Sequence, residues 1–188
     1  MVAEAVNILQ AVTPPLSLVV ALAAIVVTWL ISRQQQKYSF REKQLKEFYG
    51  PLLALRLEIQ ALSNFRCNML NNAESAWGEK SSKADLGEKV DFTSYEKIID
   101  YSNLQYKTVI RPLYRAMQKL FLDNIWLAEP ETLGFLSKFV NYNESQDLVL
   151  TEKIPSEVYS LIELKEEELK PFYTHLSATT ELLKKKMR

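Results

Sequence analysis

The residues able to do chemistry are few in this chain, and their scarcity limits the reactions it can catalyse. Its 188 residues include a single histidine, His175, and a single cysteine, Cys67. One histidine and one cysteine cannot assemble a Cys/His zinc site, and a serine or cysteine nucleophile would have only one imidazole as its base. The sequence shows no glycine-rich phosphate loop and no recognisable pair of catalytic carboxylates. It therefore predicts no metal, no cofactor and no enzymatic activity.

A row of four cations is the other pattern with chemical potential. The cations recur every four residues, which places them on one face of a predicted helix; they are Lys107, Arg111, Arg115 and Lys119. Such a row is a candidate site for an anionic ligand, a nucleotide or a lipid headgroup. The alternative is a solvated face whose cations pair with acids on a neighbouring helix, and we favour this alternative. Cys67 is interpreted as a small apolar filler on a helix.

An uncharged apolar run near the N-terminus predicts a transmembrane helix. Residues 16–31 (LSLVVALAAIVVTWLI) carry no charge, and the predicted span covers residues 16–32. Pro14 and Pro15 suit its first turn, where a missing N–H is harmless. A cleaved signal peptide would need a basic segment before the run, but residues 1–15 contain no lysine or arginine. We therefore expect an uncleaved anchor, and a buried helix of a soluble protein is the alternative.

Flanking charge predicts how the span is oriented. Basic residues follow the run at once and none precedes it, so the positive side should stay in the cytoplasm. Residues 1–15 then form a short extracytoplasmic tail, and the rest of the chain lies inside the bacterial inner membrane. The residues predicted at the membrane interface are Trp29, Arg33, Lys37 and Arg41.

The remaining residues predict a basic helical stalk, 33–50, and a cytoplasmic helical bundle, 51–188. Apolar residues at 45, 48, 52, 55, 59 and 62 form a heptad-like seam, which Gly50-Pro51 interrupts with a break or kink. Residues 73–91 lose this periodicity and are predicted to be a surface loop, in which Trp77 caps the core or contacts a partner.

Three further helical patterns complete the predicted bundle. A second apolar stripe is kinked or split by Pro112, and its predicted members are Tyr95, Ile99, Ser102, Tyr106, Val109, Leu113, Met117 and Leu120. A helix beginning near Pro130 should bury Leu133, Leu136, Phe139 and Val140. A last helix opening at residues 154–157 should bury Val158, Leu161, Ile162, Leu169, Phe172, Leu176 and Leu183. The predicted fold is an all-α, up-and-down bundle of four to five helices behind the transmembrane helix.

Three stretches resemble a family of uncharacterised bacterial single-span, membrane-anchored helical proteins. They are FREKQLKEFYGPLLALRLEI (40–59), DYSNLQYKTVIRPLYRAMQKLFLDNIWLAEPET (100–132) and IPSEVYSLIELKEEELKPFYTHL (154–176). The resemblance covers most of the predicted cytoplasmic part. It implies the same architecture and no chemistry, because that family has no assigned activity.

A looser likeness is to the membrane accessory protein of Cas13b (type VI-B CRISPR) systems, which has one N-terminal span, a helical HEPN-like bundle and a ring-shaped pore. HEPN ribonucleases carry an arginine, four intervening residues and a histidine. Lys170-Pro-Phe-Tyr-Thr-His175 has that spacing, with lysine in place of arginine and Pro171 inside the motif. The likeness implies His175 as general acid or base, with Lys170 stabilising the phosphate; otherwise His175 is a polar residue at the bundle surface.

These observations leave two functional hypotheses. The preferred one is a non-enzymatic, membrane-anchored module that acts by self-assembly, as a homo-oligomer, and by contact with a partner protein of unknown identity. The alternative is a HEPN-like antiviral membrane effector whose oligomeric pore perturbs the bilayer. Lysine plus arginine and aspartate plus glutamate number 23 each, and this zero net charge argues against a general nucleic-acid partner.

Overall fold

Every regular element that the structure describes is helical. The computed structural model describes residues 2–85, 91, 93–151 and 165–187, with side chains from Val19 onward except at 83–85, 94 and 149. The chain divides into two units, the first made up of residues 1–43 and the second of residues 44–186, with the last two residues divided between them. The predicted all-α fold is confirmed.

The first unit is one helix, α1 (Val2–Lys43). It begins well before Pro14 and Pro15, so the prediction that these prolines open the helix is wrong. Residues 2–13 contain neither proline nor glycine, and six of the twelve are alanine, leucine, glutamate or glutamine, so a helix can begin before the prolines. Within the described part of the chain, no helix combines the length and the apolar character needed to cross a membrane.

The second unit is a helical bundle. Its described residues include two π-helical turns and two short 3-10 segments, the latter at Ile125–Leu127 and Glu166–Leu169. Its α-helices in the described residues are α2 (Gly50–Asp85), α3 (Thr93–Gln105), α4 (Arg111–Asp123), α5 (Pro130–Leu133), α6 (Leu136–Leu150) and α7 (Lys170–Met187).

Both π-helical turns lie directly before a proline-containing helix start. The first turn, Gln44–Tyr49, precedes Gly50-Pro51, and the second, Tyr106–Ile110, precedes Arg111-Pro112. A proline ring clashes with the carbonyl four residues before it and donates no hydrogen bond, and the wider π turn accommodates both defects. At the second site the Arg111 N–H donates to the Tyr106 carbonyl, five residues back. The breaks predicted at the two prolines are therefore confirmed.

One core joins the helices of the second unit. The predicted seam is confirmed, because Phe48, Leu52 and Ile59 are fully buried and Leu45, Leu55 and Leu62 pack against the core. Leu169, at the end of the second 3-10 segment, and Phe172, Leu176 and Leu183 of α7 are also buried as predicted. The aromatic rings of Phe48 and Phe121 meet edge to face at 5.3 Å, and Phe121 stacks on Phe172 at 5.9 Å, which ties the first π-helical turn, α4 and α7 together.

The second π-helical turn changes which residues face this core. After the extra residue of the turn, Ile110, Tyr114 and Phe121 are buried, each one position later than the stripe predicts. Met117 is fully buried as predicted. Val109 is 41% exposed and Ile99 47% exposed, and the prediction that both face inward is wrong. Leu133 is also exposed, because α5 ends at that residue and Thr132 takes the buried position instead.

The predicted loop is largely helical. Helix α2 runs to Asp85, so residues 73–85 of the predicted 73–91 loop belong to it, and their alanines, glutamates and lysines are good helix formers. Residues 86–90 of that loop lie outside the described residues. The predicted helix start at 154–157 and the predicted burial of Val158, Leu161 and Ile162 also lie outside them.

Candidate functional site

The four residues predicted at the membrane interface all belong to α1. Trp29 is 57% exposed, and the Arg33 guanidinium carbon lies 5.3 Å from the centre of its ring, a cation–π contact one turn along the helix. Lys37 is exposed and Arg41 is partly buried. Eight apolar side chains of α1 are each more than half exposed: Val19, Val20, Leu22, Ile25, Val26, Val27, Leu30 and Ile31. These neighbours cover every side of the helix, so the apolar surface of α1 is not a single stripe.

The cation row of α4 is engaged by acids and amides of α6. Arg111 is 4% exposed, and its guanidinium donates to Asp147 and to the side chain and carbonyl of Asn143. Arg115 pairs with Glu144 at 2.7 Å and with Asp147. The expectation that these cations pair with acids on a neighbouring helix is confirmed for Arg111 and Arg115. Burial lowers the pKa of Arg111, but the group stays charged because an arginine pKa is so high.

The ends of the row point away from this network. Lys119 pairs with Asp123 one turn later on the same helix, at 2.6 Å, and Lys107 is exposed. The row therefore offers no cluster of neighbouring cations for an anion, because its two central members already hold carboxylates. Its role in the described structure is to fasten α4 to α6.

His175 is partly buried where α7 meets α5, so the position that the sequence predicts at the bundle surface or end is more enclosed than expected. Its side chain is 15% exposed, and its Nε2 atom is 2.8 Å from the Thr132 hydroxyl. That hydroxyl is 2.7 Å from the Tyr49 hydroxyl, which accepts a hydrogen bond from the Glu129 N–H at 2.9 Å. If each hydroxyl donates onward, Nε2 is the terminal acceptor, and Nδ1 carries its proton 4.0 Å from Glu131. The chain of contacts joins α7 to α5 and to the first π-helical turn.

Lys170 and His175 are not brought together. Five residues of α-helix separate their directions by about 140°. Lys170 borders a groove between α2 and α7, whereas His175 contacts Thr132, Thr179 and the ring of Phe135. The arrangement therefore provides no joint site for a phosphate and a base at these two residues.

The groove beside Lys170 is a polar site that the sequence patterns did not indicate. It encloses about 300 Å³ and is lined by Arg56, Gln60, Asn64, Cys67, Lys170 and Tyr173. The Arg56 guanidinium carbon lies 3.9 Å from the centre of the Tyr173 ring. Glu166, whose carboxylate is 3.6 Å from Arg56, and Glu167 also line the groove, so its positive charge is balanced. The groove is polar but has no net charge with which to select an anion.

Beneath this groove lies a group of four tyrosines, Tyr106, Tyr114, Tyr142 and Tyr173, which we call the tyrosine cluster. Burial raises the pKa of each of these phenols above its ordinary value, because a phenolate would be desolvated there. The rings of Tyr114 and Tyr142 lie 5.4 Å apart. The cluster is therefore neutral at physiological pH and contributes packing rather than acid–base chemistry.

Compared with models of known protein families, with curated proteins and with solved structures, the chain gives no significant match in any of the three. Among the described residues, no group of three histidine, cysteine or acidic side chains is placed to hold a metal ion.

Proposed function

We propose that this chain is a membrane-anchored helical module without enzymatic activity, which acts by assembling with copies of itself and with partner proteins. In this proposal α1 crosses the bacterial inner membrane, its N-terminus lies outside, and the second unit lies in the cytoplasm. The orientation follows from the basic residues that come after the apolar run. The module has the lipid bilayer as its first partner.

The exposed apolar surface of α1 is the observation that carries the proposal. A helix that packs on a protein core buries one stripe, whereas the apolar side chains from Val19 to Ile31 are exposed all round. The sixteen residues 16–31 carry no charge, and the structure describes their side chains from Val19 onward. The Thr28 hydroxyl donates to the Ala24 carbonyl at 2.8 Å, which satisfies the polar atom within the helix. Lipid is the solvent that suits such a surface.

The polar networks of the second unit support a non-catalytic role. Its buried arginine and its histidine contact groups of neighbouring helices, and each of these contacts fastens two elements together. The alternative, a HEPN-like antiviral effector that forms a pore, shares the anchor and the assembly. Its ribonuclease part gains no support from the separate surroundings of Lys170 and His175.

Charge insertion into α1 tests the anchor. We expect Leu22→Arg combined with Val26→Arg to move the full chain from the membrane to the soluble fraction, since each arginine at the centre of a span costs about 2.5–3.5 kcal/mol. The matched control, Gln34→Arg combined with Gln35→Arg, adds the same charge beyond the apolar run and should leave the chain in the membrane fraction after an alkaline wash. Wild-type protein that the wash releases would contradict the proposal.

A further inference from the structure

One end of the bundle is built around Gln44, the first residue of the second unit. The Gln44 side-chain amide donates to the Leu127 carbonyl at 2.8 Å, and Phe121 of α4 meets Phe48, which comes four residues after Gln44. Helix α4 therefore runs toward Gln44 and antiparallel to α2. The turn that follows α4 lies beside Gln44 as a result.

Helix α7 also runs toward this end of the bundle. Its Tyr173 ring lies against Arg56 of α2, and His175 is joined through one threonine to the first π-helical turn, which precedes α2. The eleven residues from Tyr173 to Lys184 measure about 17 Å of helix, and the twelve residues from Arg56 back to Gln44 measure about 18 Å. The last turn of α7 therefore lies at the level of Gln44.

Exposed lysines and exposed apolar side chains meet at this end, and we call the surface that they form the bundle end. Its members are Ile125, Trp126, Lys184, Lys185 and Lys186. Trp126 is 56% and Ile125 40% exposed, and the three lysines are all exposed. The acids of the neighbouring turns, Asp123 and Glu181, pair with Lys119 and Lys184 at 2.6 and 2.8 Å. These two acids therefore do not offset the positive charge of Lys185 and Lys186.

Lysines beside an exposed tryptophan are typical of a surface that contacts a bilayer. Tryptophan suits the headgroup layer because its ring is apolar and its N–H is polar, and clustered lysines attract anionic headgroups. An acidic protein would also attract the lysines. The position of the bundle end favours lipid, because it surrounds the residue that directly follows α1, the helix that the proposed function places in the membrane.

The length of α1 limits how far the bundle end can lie from the bilayer. The apolar run measures about 24 Å, so a hydrocarbon core of about 30 Å extends up to about 6 Å past Ile31, and the headgroup layer adds about 6 Å. Residues 32–43 measure about 18 Å of helix. Gln44 then lies about 6–12 Å beyond the headgroup layer, and tilting of α1 shortens this distance. An extended lysine side chain of about 6 Å and a Debye length of about 8 Å together span it.

We propose that the bundle end docks on the surface of the bilayer, with Lys185 and Lys186 against anionic lipid headgroups and Trp126 in the headgroup layer. The inference rests on the proposed function, because α1 must first hold the chain at the membrane. It adds a second lipid contact that depends on the charge of the lipid, whereas the contact of the α1 span does not. Anchoring by α1 keeps the bundle end at a high effective concentration near the headgroups.

The test measures how close the bundle end comes to the headgroups when the full chain is reconstituted in vesicles. A fluorescent label is attached at Leu182→Cys, with Cys67 replaced by serine, and lipids that carry a nitroxide on the headgroup quench any label in near contact. Vesicles of phosphatidylcholine are compared with vesicles rich in anionic phosphatidylserine. The control label is at Ile99→Cys, beside Leu70 on the distal part of α2; Leu182 is 44% and Ile99 47% exposed.

We expect strong quenching at position 182 in the phosphatidylserine vesicles, weak quenching there in phosphatidylcholine, and none at position 99 in either. Lys185→Gln combined with Lys186→Gln should lower the ratio of docked to undocked bundles about 30-fold, because each lysine near an anionic surface contributes about fivefold. The matched control, Lys97→Gln combined with Lys107→Gln, removes the same charge from exposed positions outside the bundle end and should leave the quenching unchanged.

The outcomes separate the two proposals. A wild-type chain that an alkaline wash releases from the vesicles would overturn the anchor and this inference with it. A retained chain whose label at position 182 is not quenched in phosphatidylserine vesicles would overturn the docking alone and leave an acidic protein as the partner of the bundle end. Quenching that is equal in both kinds of vesicle, or that survives the loss of Lys185 and Lys186, would also overturn it. Circular dichroism of each variant separates lost docking from lost folding.

Discussion

Gly50 lies where the first π-helical turn meets α2, and adding a methyl group there tests that geometry. A Cβ atom at position 50 would lie 2.5 Å from the Leu45 carbonyl oxygen. Carbon and oxygen in weak contact lie about 3.3–3.6 Å apart, so the backbone would have to move by about 0.8 Å. Neither atom belongs to a flexible side chain, and the turn that must move holds Phe48 and Tyr49, both fully buried.

The expected magnitude follows from two opposing effects. Forced shifts in packed regions cost about 1–3 kcal/mol, whereas alanine gains about 1 kcal/mol over glycine in a helix. Because the clash is with backbone, we expect the upper end of that cost and a net loss of about 2 kcal/mol in the free energy of unfolding for Gly50→Ala. For a chain of this size the loss corresponds to a fall of about 4–8 °C in Tm.

The assay is thermal unfolding of the full chain in detergent, followed by circular dichroism, with Gly78→Ala as the matched control. Gly78 also lies in α2, and a Cβ atom there would meet nothing within 4 Å. The control should therefore gain about 0.5–1 kcal/mol. If Gly50→Ala is as stable as the wild type, or gains stability as the control does, the described approach of Leu45 to Gly50 is refuted.

Three further predictions concern the polar interior. Arg111→Ala should cost about 1–3 kcal/mol of unfolding free energy in urea denaturation, because it leaves Asn143 without its buried partner and leaves Asp147 with Arg115 alone. Exposed Lys119→Ala should stay within about 0.5 kcal/mol, and equal losses for the two would contradict the network. His175→Ala should lower the free energy of unfolding by about 1–2 kcal/mol, because it removes the partner of the buried Thr132 hydroxyl. Purified wild-type protein should cleave no RNA. Cleavage that disappears in His175→Ala would overturn the non-enzymatic account. Burial raises the pKa of the tyrosine cluster, so unfolded chains lose phenol protons at a lower pH than folded ones: stability should be intact below about pH 10 and fall as the pH rises further. Absorbance titration should then show these phenols ionising together with unfolding, and their separate ionisation in folded protein would contradict their burial.

Local patterns predicted the parts of the fold that depend on regular helix periodicity. The seam through Phe48, Leu52 and Ile59 follows from spacings of three and four residues, and the pairing of Arg111 and Arg115 with acids follows from the cost of leaving a cation row unpaired. The seam and the cation row can each be recognised from neighbours on one helix face, although the acids that pair with the row lie on α6.

Other features could not be predicted because they depend on breaks in that periodicity or on distant contacts. The second π-helical turn shifts the inward face from Val109 to Ile110, and nothing in a 3.6-residue pattern signals the extra residue. The position of His175 depends on Thr132, 43 residues away in the sequence, so spacing alone gave no sign that its ring nitrogen has a partner. Pro112 was the one local signal of the shift, since π turns accommodate the break that a proline causes.

The most direct test of the central claim is to measure how deep α1 lies in a bilayer. Spin labels would be attached at single cysteines introduced at successive positions from Val19 to Ile31 of the full chain, with Cys67 replaced by serine, in reconstituted vesicles. If α1 crosses the membrane, every label should collide readily with oxygen and be shielded from a water-soluble nickel chelate, whereas a label at Gln35 should meet the chelate. A 3.6-residue alternation of accessibility, or access of the chelate to labels throughout residues 19–31, would contradict the membrane anchor.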